Sequence, residues 1–196
     1  MTPYANYIQE YSHKIQTGEV VVGKWVKLLY EKITAGLRDG LFYFDAKKAN
    51  NAVEFIQTFC HHCEGRSDLI TLELWQKATA SVIFGVVDED GLRIFREVFL
   101  VMGRKNGKSI FASALIAYTV YLDGEYGARV YCLAPKLEQA AIVYENFHKM
   151  ISSEPELAEL VKRRRSDVYM ESTNTTIRPL AFNAKKSDGL TYRPLA

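Results

Sequence analysis

Seven residues near the middle of the chain, Gly103-Arg104-Lys105-Asn106-Gly107-Lys108-Ser109, have the types and spacing to hold a phosphate. Such a loop works by turning successive backbone N–H groups and a helix N-terminus toward the phosphate oxygens, so that donors and a favourable dipole meet in one place. Gly107 stands just before the lysine, where a side chain would obstruct the phosphate. Lys108 supplies charge for the β- and γ-phosphates of a nucleotide, and Ser109 a hydroxyl for Mg²⁺. The common spacing G-x-x-x-x-G-K-[ST] places its first glycine where this chain has Met102, and the glycine here is Gly103, so the loop is a variant. A Gly-Lys-Ser triplet by itself is frequent in proteins. Its meaning depends on a strand entering the loop and a helix leaving it, the alternative being an ordinary strand-to-helix connection with a solvated lysine.

The flanking elements supply that setting. Arg96-Glu97-Val98-Phe99-Leu100-Val101-Met102 is apolar and β-branched and predicts a buried strand. Residues 109–121 predict a helix, with Phe111, Ala114, Leu115, Tyr118 and Leu122 spaced to pack on a sheet. After the turn Asp123-Gly124-Glu125-Tyr126-Gly127 come a second buried strand at 128–134, ended by Pro135, and a helix at 137–150. A short helix after Ser152-Ser153-Glu154-Pro155 is expected to end in the basic run Lys162-Arg163-Arg164-Arg165. Strands at 168–171 and 176–180 bracket a Ser172-Thr173-Asn174 turn. The β-loop-α-β-α order predicts an α/β fold with a parallel, P-loop-type sheet and flanking helices.

Upstream, the pattern is helical. A helix over 4–17 carries Tyr7, Ile8, Tyr11 and Ile15 and is closed by Gly18. A second, over 24–35, places Trp25, Leu28, Leu29 and Ile33 on its apolar face, with Gly36 beyond its end. A third starts at an Asp45 cap and runs to about Cys60, and a fourth covers 72–84. The expected division is a helical N-terminal region, residues 1–70, and a P-loop ATPase core, residues 71–196.

At 196 residues the chain can build one main α/β core, and its net charge of +2 is too small to argue by itself for a nucleic-acid or membrane partner. The N-terminus lacks a leader pattern and no segment stays apolar long enough to span a bilayer, so a cytoplasmic protein is expected. An odd count of three cysteines argues for reduced thiols.

Read together, these segments resemble the large terminase subunit of tailed bacteriophages. Arg104-Lys105-Asn106-Gly107-Lys108-Ser109 is similar to the variant Walker A loop of that family, and Leu74-Trp75-Gln76 to its upstream Trp-Gln element. Asp90-Gly91-Leu92-Arg93-Ile94-Phe95-Arg96-Glu97-Val98 resembles the lead into the loop strand. Leu133-Ala134-Pro135-Lys136-Leu137-Glu138-Gln139-Ala140 resembles the family's Ala-Pro-x-x-x-Gln-Ala element, and Ser187-Asp188-Gly189-Leu190 the stretch before its acidic motif. The resemblance covers about residues 72–196. It implies a motor that hydrolyses ATP to package viral double-stranded DNA into procapsids, with a separate nuclease domain, a small terminase subunit and a portal protein as partners, and a ring-forming homo-oligomer in a bacterial host cell. It further implies ATP and Mg²⁺ as cofactors, contacts from Gly103, Asn106, Gly107, Lys108 and Ser109, metal ligation by Ser109 and adenine recognition by Gln76. Arg104 or Lys105 would stabilise the transferred phosphoryl group, and Gln139 would couple the site to DNA. The acidic Mg²⁺ partner and the carboxylate that activates water are expected beyond Ala196, since Asp88-Glu89-Asp90 lies upstream of the loop. The fragment is therefore expected to bind nucleotide and turn it over poorly.

Other features compete for attention. Cys60-His61-His62-Cys63 has zinc-ligand types, but four adjacent residues at a helix end cannot all face one tetrahedral ion, and a capped helix end is the simpler reading. Lys162 to Arg165, with Lys185 and Lys186, either contact DNA phosphates or form a solvated helix end. The alternatives for the whole chain are another P-loop NTPase, helicase-like or kinase-like, and a non-catalytic DNA-binding or assembly module.

Overall fold

The computed structural model describes residues 4–123 and 126–182. Ser187-Asp188-Gly189-Leu190, Lys185 and Lys186 lie outside them. The described residues divide into two compact units, one of residues 4–54 with 72–99 and one of 55–71 with 100–123 and 126–182.

In the first unit, α1 (Tyr7–Thr17) begins where the Asn6 side chain accepts the Gln9 N–H and ends on Gly18 at φ +80°, a left-handed cap that glycine adopts without strain. Its Ile8, Tyr11 and Ile15 pack with Tyr30 and Ile33 of α2 (Lys24–Arg38) and with Ala78 and Val86. The Tyr11 and Tyr30 rings meet edge to face at 4.8 Å. The buried face of α2 shares only Ile33 with the one expected. Trp25, Leu28 and Leu29 are exposed, and the helix presents Tyr30, Ile33 and Gly36 to the core. Gly36 lies inside the helix because the Phe42 ring takes the space that a Cβ would fill, 2.3 Å away. Sequence periodicity marks an apolar stripe, and the structure buries the adjoining one, on which Gly36 leaves room for Phe42.

The two-residue strand β1 (Tyr43–Phe44) pairs antiparallel with β2 (Val86–Val87). Between them α3 (Ala46–Phe59) starts from Asp45, whose carboxylate accepts the Lys48 N–H at 2.9 Å, as expected of a cap. The other helix of this unit is α4 (Leu74–Gly85), opened by a capping box between Glu73 and Gln76.

The second unit contains α5 (Lys108–Tyr118), continued by a wider π-helical turn over Thr119–Asp123, then β3 (Arg129–Ala134), α6 (Leu137–Ser152) and the single turn α7 (Pro155–Ala158). It closes with β4 (Val161–Arg163), β5 (Val168–Met170) and β6 (Thr175–Ala181). These strands form one sheet in the order β3-β6-β5-β4. The β3–β6 pair is parallel, as expected of this fold class, though it joins through α6, α7, β4 and β5; β5 is antiparallel to both β6 and β4, so the sheet is small and mixed. Helix α6 packs on β3 and β6, and α5 packs on α6. Phe111, Phe147, Met150, Ile151, Met170 and Ile177 are among the large side chains closed off from solvent here.

Pro179 sits opposite Cys132 in the parallel ladder. The N–H groups of Thr176 and Phe182 donate to Ala128 O and Ala134 O, so alternate N–H groups, those of even-numbered residues, face β3. The donor that Pro179 lacks would have faced the opposite side. There β5 ends at the level of Ile177, so the proline costs the sheet no hydrogen bond.

Two segments depart from expectation. Residues 96–102 form no strand, and Phe99 and Val101 are 89% and 93% exposed. Residue preference selects chains that fit a pleated, half-buried surface, but the strand itself is made by a partner's hydrogen bonds, and among the described residues this segment has no strand beside it. The basic run is not a helix end either. Lys162 and Arg163 lie in β4, because α7 stops after one turn and the chain then pairs with β5.

Candidate functional site

The loop at 103–109 is shaped by three small facts. Gly107 is the N-cap of α5 at φ +71°, in the left-handed region, and nothing stands within 4 Å of the position where its Cβ would be. Lys105 is also left-handed, at φ +64°, a conformation costing a residue with a side chain roughly 1–2 kcal/mol. A Cβ on Gly103 would lie 3.1 Å from Asn106 Nδ2, so the first glycine makes room for the asparagine amide folded over it. Alternating left-handed residues at 105 and 107 turn this short stretch into a concave run of backbone.

The backbone N–H groups of residues 104–107 have no hydrogen-bond partner among the described residues, and they end at the positive pole of an 11-residue helix. Residues 103–108 are exposed and Ser109 is half-buried. Arg104, Lys105 and Lys108 form no ion pair among the described residues. Free donors, a helix pole and three uncompensated cations within five residues suit a polyanionic ligand. The donor types match a magnesium–nucleotide complex: N–H and cationic groups for phosphate oxygens, and one hydroxyl, that of Ser109, for the cation.

Behind the loop, Ser113 Oγ lies 2.8 Å from Ser109 O and 2.9 Å from Val143 O, so its single proton ties α5 to its own preceding turn or to α6. Serine inside a helix carries no sequence signal for that role, and only the packing of α5 on α6 discloses it. At the end of β3, Pro135 and Lys136 lead into α6, whose first turn carries the exposed Gln139.

Gln76 belongs to the other unit. Its Oε1 accepts the Glu73 N–H at 2.8 Å in the capping box, which leaves Nε2 to donate elsewhere. Asp88 is committed to its own turn, accepting the N–H groups of Asp90 at 3.1 Å and Leu92 at 2.8 Å.

The remaining candidates are largely engaged. Lys162 pairs with Glu171, Arg163 donates to Glu145 at 2.9 Å, and Arg164 stacks 3.8 Å over the Tyr169 ring. Around Cys60, His61 Nδ1 meets Ser67 O at 2.7 Å, and Cys63 Sγ donates to Asn146 O at 3.2 Å. Burial, aided by neighbouring Cys63, pushes the Cys60 thiol up to about 12, far from the thiolate that binds metal.

Comparison with known proteins gives the family and the fold. Residues 74–194 match the family described as "Terminase large subunit, ATPase domain". The terminase large subunits of Lactococcus phage p2 and Lactococcus phage SK1 are each 20% identical over 195 residues, covering 95% of this chain and 35% of the relative. The chain thus spans about a third of the length of the curated relatives it matches. The crystal structure of the HK97 bacteriophage large terminase superposes with a TM-score of 0.59 at 23% identity, over 74% of this chain and 29% of that one, and so shares its fold.

Proposed function

The chain belongs to the family of terminase large subunit ATPase domains, and from that premise we propose that residues 103–109 bind Mg-ATP in a motor that drives viral double-stranded DNA into a procapsid. The observation that carries this reading is the concave loop with its four unengaged N–H groups at the head of α5. Backbone N–H groups of Gly103, Asn106 and Gly107 cradle phosphate, Lys108 neutralises the β- and γ-phosphates, and Ser109 ligates Mg²⁺. The metal's chemistry is to offset charge on the phosphate oxygens. Arg104 or Lys105, exposed at the lip of the loop, stabilises charge on the phosphoryl group in the transition state. The free Nε2 of Gln76 donates to adenine, and Gln139 links nucleotide state to DNA.

Among the described residues neither parallel strand runs into a carboxylate: β3 leads to Pro135-Lys136 and β6 to Phe182. Hydrolysis takes, besides the loop, a carboxylate that orients water; the reading for this fragment is nucleotide binding with slow turnover. Double-stranded DNA, a small terminase subunit, a portal protein and further copies in a ring are the partners of the longer protein, acting in the host cytoplasm.

Titration calorimetry of Mg-ATP into the wild-type chain and Lys108→Ala tests the site. A loss of about tenfold or more in affinity is expected for the variant, since a charge-assisted contact of about 1.4 kcal/mol is removed. Equal affinity in a folded variant removes the assignment.

A further inference from the structure

Asn106 precedes Gly107, and this is the single Asn-Gly pair in the sequence. Asparagine is among the thermolabile residues of proteins, and its weak point is attack by the next residue's backbone nitrogen on the side-chain carbonyl carbon. Three things normally prevent that attack: a Cβ on the next residue that blocks approach, a hydrogen bond that holds the attacking N–H, and a rigid helix or strand. All three are absent here. Gly107 has no side chain and open space where one would be, its N–H has no partner among the described residues, and both residues are exposed in a loop just before α5 begins.

We propose that Asn106 is a site of spontaneous deamidation. The Gly107 nitrogen loses its proton and bonds to Asn106 Cγ. The carboxamide C–N bond breaks and ammonia leaves, carrying the amide's own two hydrogens and one proton. Water then opens the resulting succinimide at either carbonyl, giving aspartate or isoaspartate at position 106. The left-handed backbone of Gly107 gives the ring closure freedom that a residue with a Cβ would deny.

Resting on the phosphate-binding reading, the consequence is a site with a clock. Either product puts a carboxylate among Arg104, Lys105 and Lys108, where it repels the ligand those cations attract. The isoaspartate form also lengthens the main chain by one carbon ahead of the α5 cap.

The full chain is incubated at mildly alkaline pH and digested with chymotrypsin, which keeps Asn106 and Gly107 in one peptide, for mass spectrometry. Replacement of NH₂ by OH is expected at Asn106 earlier than at Asn6, Asn50, Asn51, Asn146 or Asn174, faster as pH rises, and strongly slowed in Gly107→Ala. Asn106→Gln, which retains the local charge, is expected to remain unmodified. An Asn106 that persists while a synthetic peptide of residues 100–111 converts shows that the folded loop protects it, and overturns the proposal. Mg-ATP affinity is then compared between aged and fresh protein. Conversion with unchanged affinity leaves the modification standing and overturns the nucleotide reading instead.

Discussion

Lys105 illustrates what a single residue contributes and conceals. Its charge and place in the loop are legible from the sequence, while its φ of +64° is not, because that angle is imposed by the turn between Gly103 and Gly107 and not by lysine's own preference. Gly107 was readable for the opposite reason, since only glycine enters this geometry freely and a lysine and serine follow it. The strain at Lys105 predicts that Lys105→Gly raises stability by roughly 0.5–1 kcal/mol in urea unfolding. Strain held at a loop that faces a ligand is commonly retained for function, so the same variant is expected to lower phosphate-dependent activity of the longer protein if Lys105 is the finger. Gly85 makes a plainer case. A Cβ there would stand 2.7 Å from Ala49 Cβ and 3.1 Å from Asp45 O. Gly85→Ala is accordingly expected to destabilise the fold by about 1–3 kcal/mol, measured in the same way.

At the level of elements, helices were read well and strands less well. Helices declare themselves through local caps and periodicity, as Gly18 and Asp45 do, although the Asn6 cap of α1 came to light only in the fold. A strand depends on a partner that the local sequence does not name, which is why residues 96–102 read as strand and are not paired, and why Lys162 and Arg163 read as helix end and are strand. The unpaired run Val98-Phe99-Leu100-Val101 has the composition of a segment that pairs with other chains. Phe99→Lys is expected to reduce self-association in light scattering while changing unfolding free energy by less than about 0.5 kcal/mol, because Phe99 is not packed. The junction of β4 with α6 has a different signature. Arg163 Nη1 donates to His148 Nδ1 at 3.3 Å, and burial first, with Arg163 second, holds the imidazole below its ordinary range. The folded chain therefore resists a proton that the unfolded chain accepts. The contribution to stability is complete above the ordinary histidine value of 6.5 and is lost as pH falls through it toward the lower folded value. Urea midpoints of His148→Gln should fall less steeply than those of the wild type over this acidic range.

For the whole molecule, the parallel β3–β6 pair with α6 across it, and the loop at the head of α5, are the parts of the α/β prediction that position the site. The strand and helix at 128–150 were legible as separate elements, but the pairing of β3 with β6 was not, because the expected unit joined 96–102 to 128–134 and the observed one runs through α6, α7, β4 and β5. Strand β5 and its turn into β6 were legible as the expected strands at 168–171 and 176–180, whereas β4 was not, since three residues read as the basic end of a helix carry too little strand pattern. Binding at one loop reaches the entire fold through mass action. Mg-ATP at a hundred times its dissociation constant should stabilise the chain by about 2.7 kcal/mol, read as a rise in melting temperature that Lys108→Ala cuts to about half or less at the same ligand concentration.

Pro179 gives the sheet a polarity of growth. Past Ile177 the strand β6 has one side free of β5, and on that side the proline withholds the donor that an incoming strand would need. The far edge of β3 has no such gap, as each of its six residues from Arg129 to Ala134 keeps its N–H. A further strand would thus meet a full row of donors beside β3 and a missing one beside Pro179.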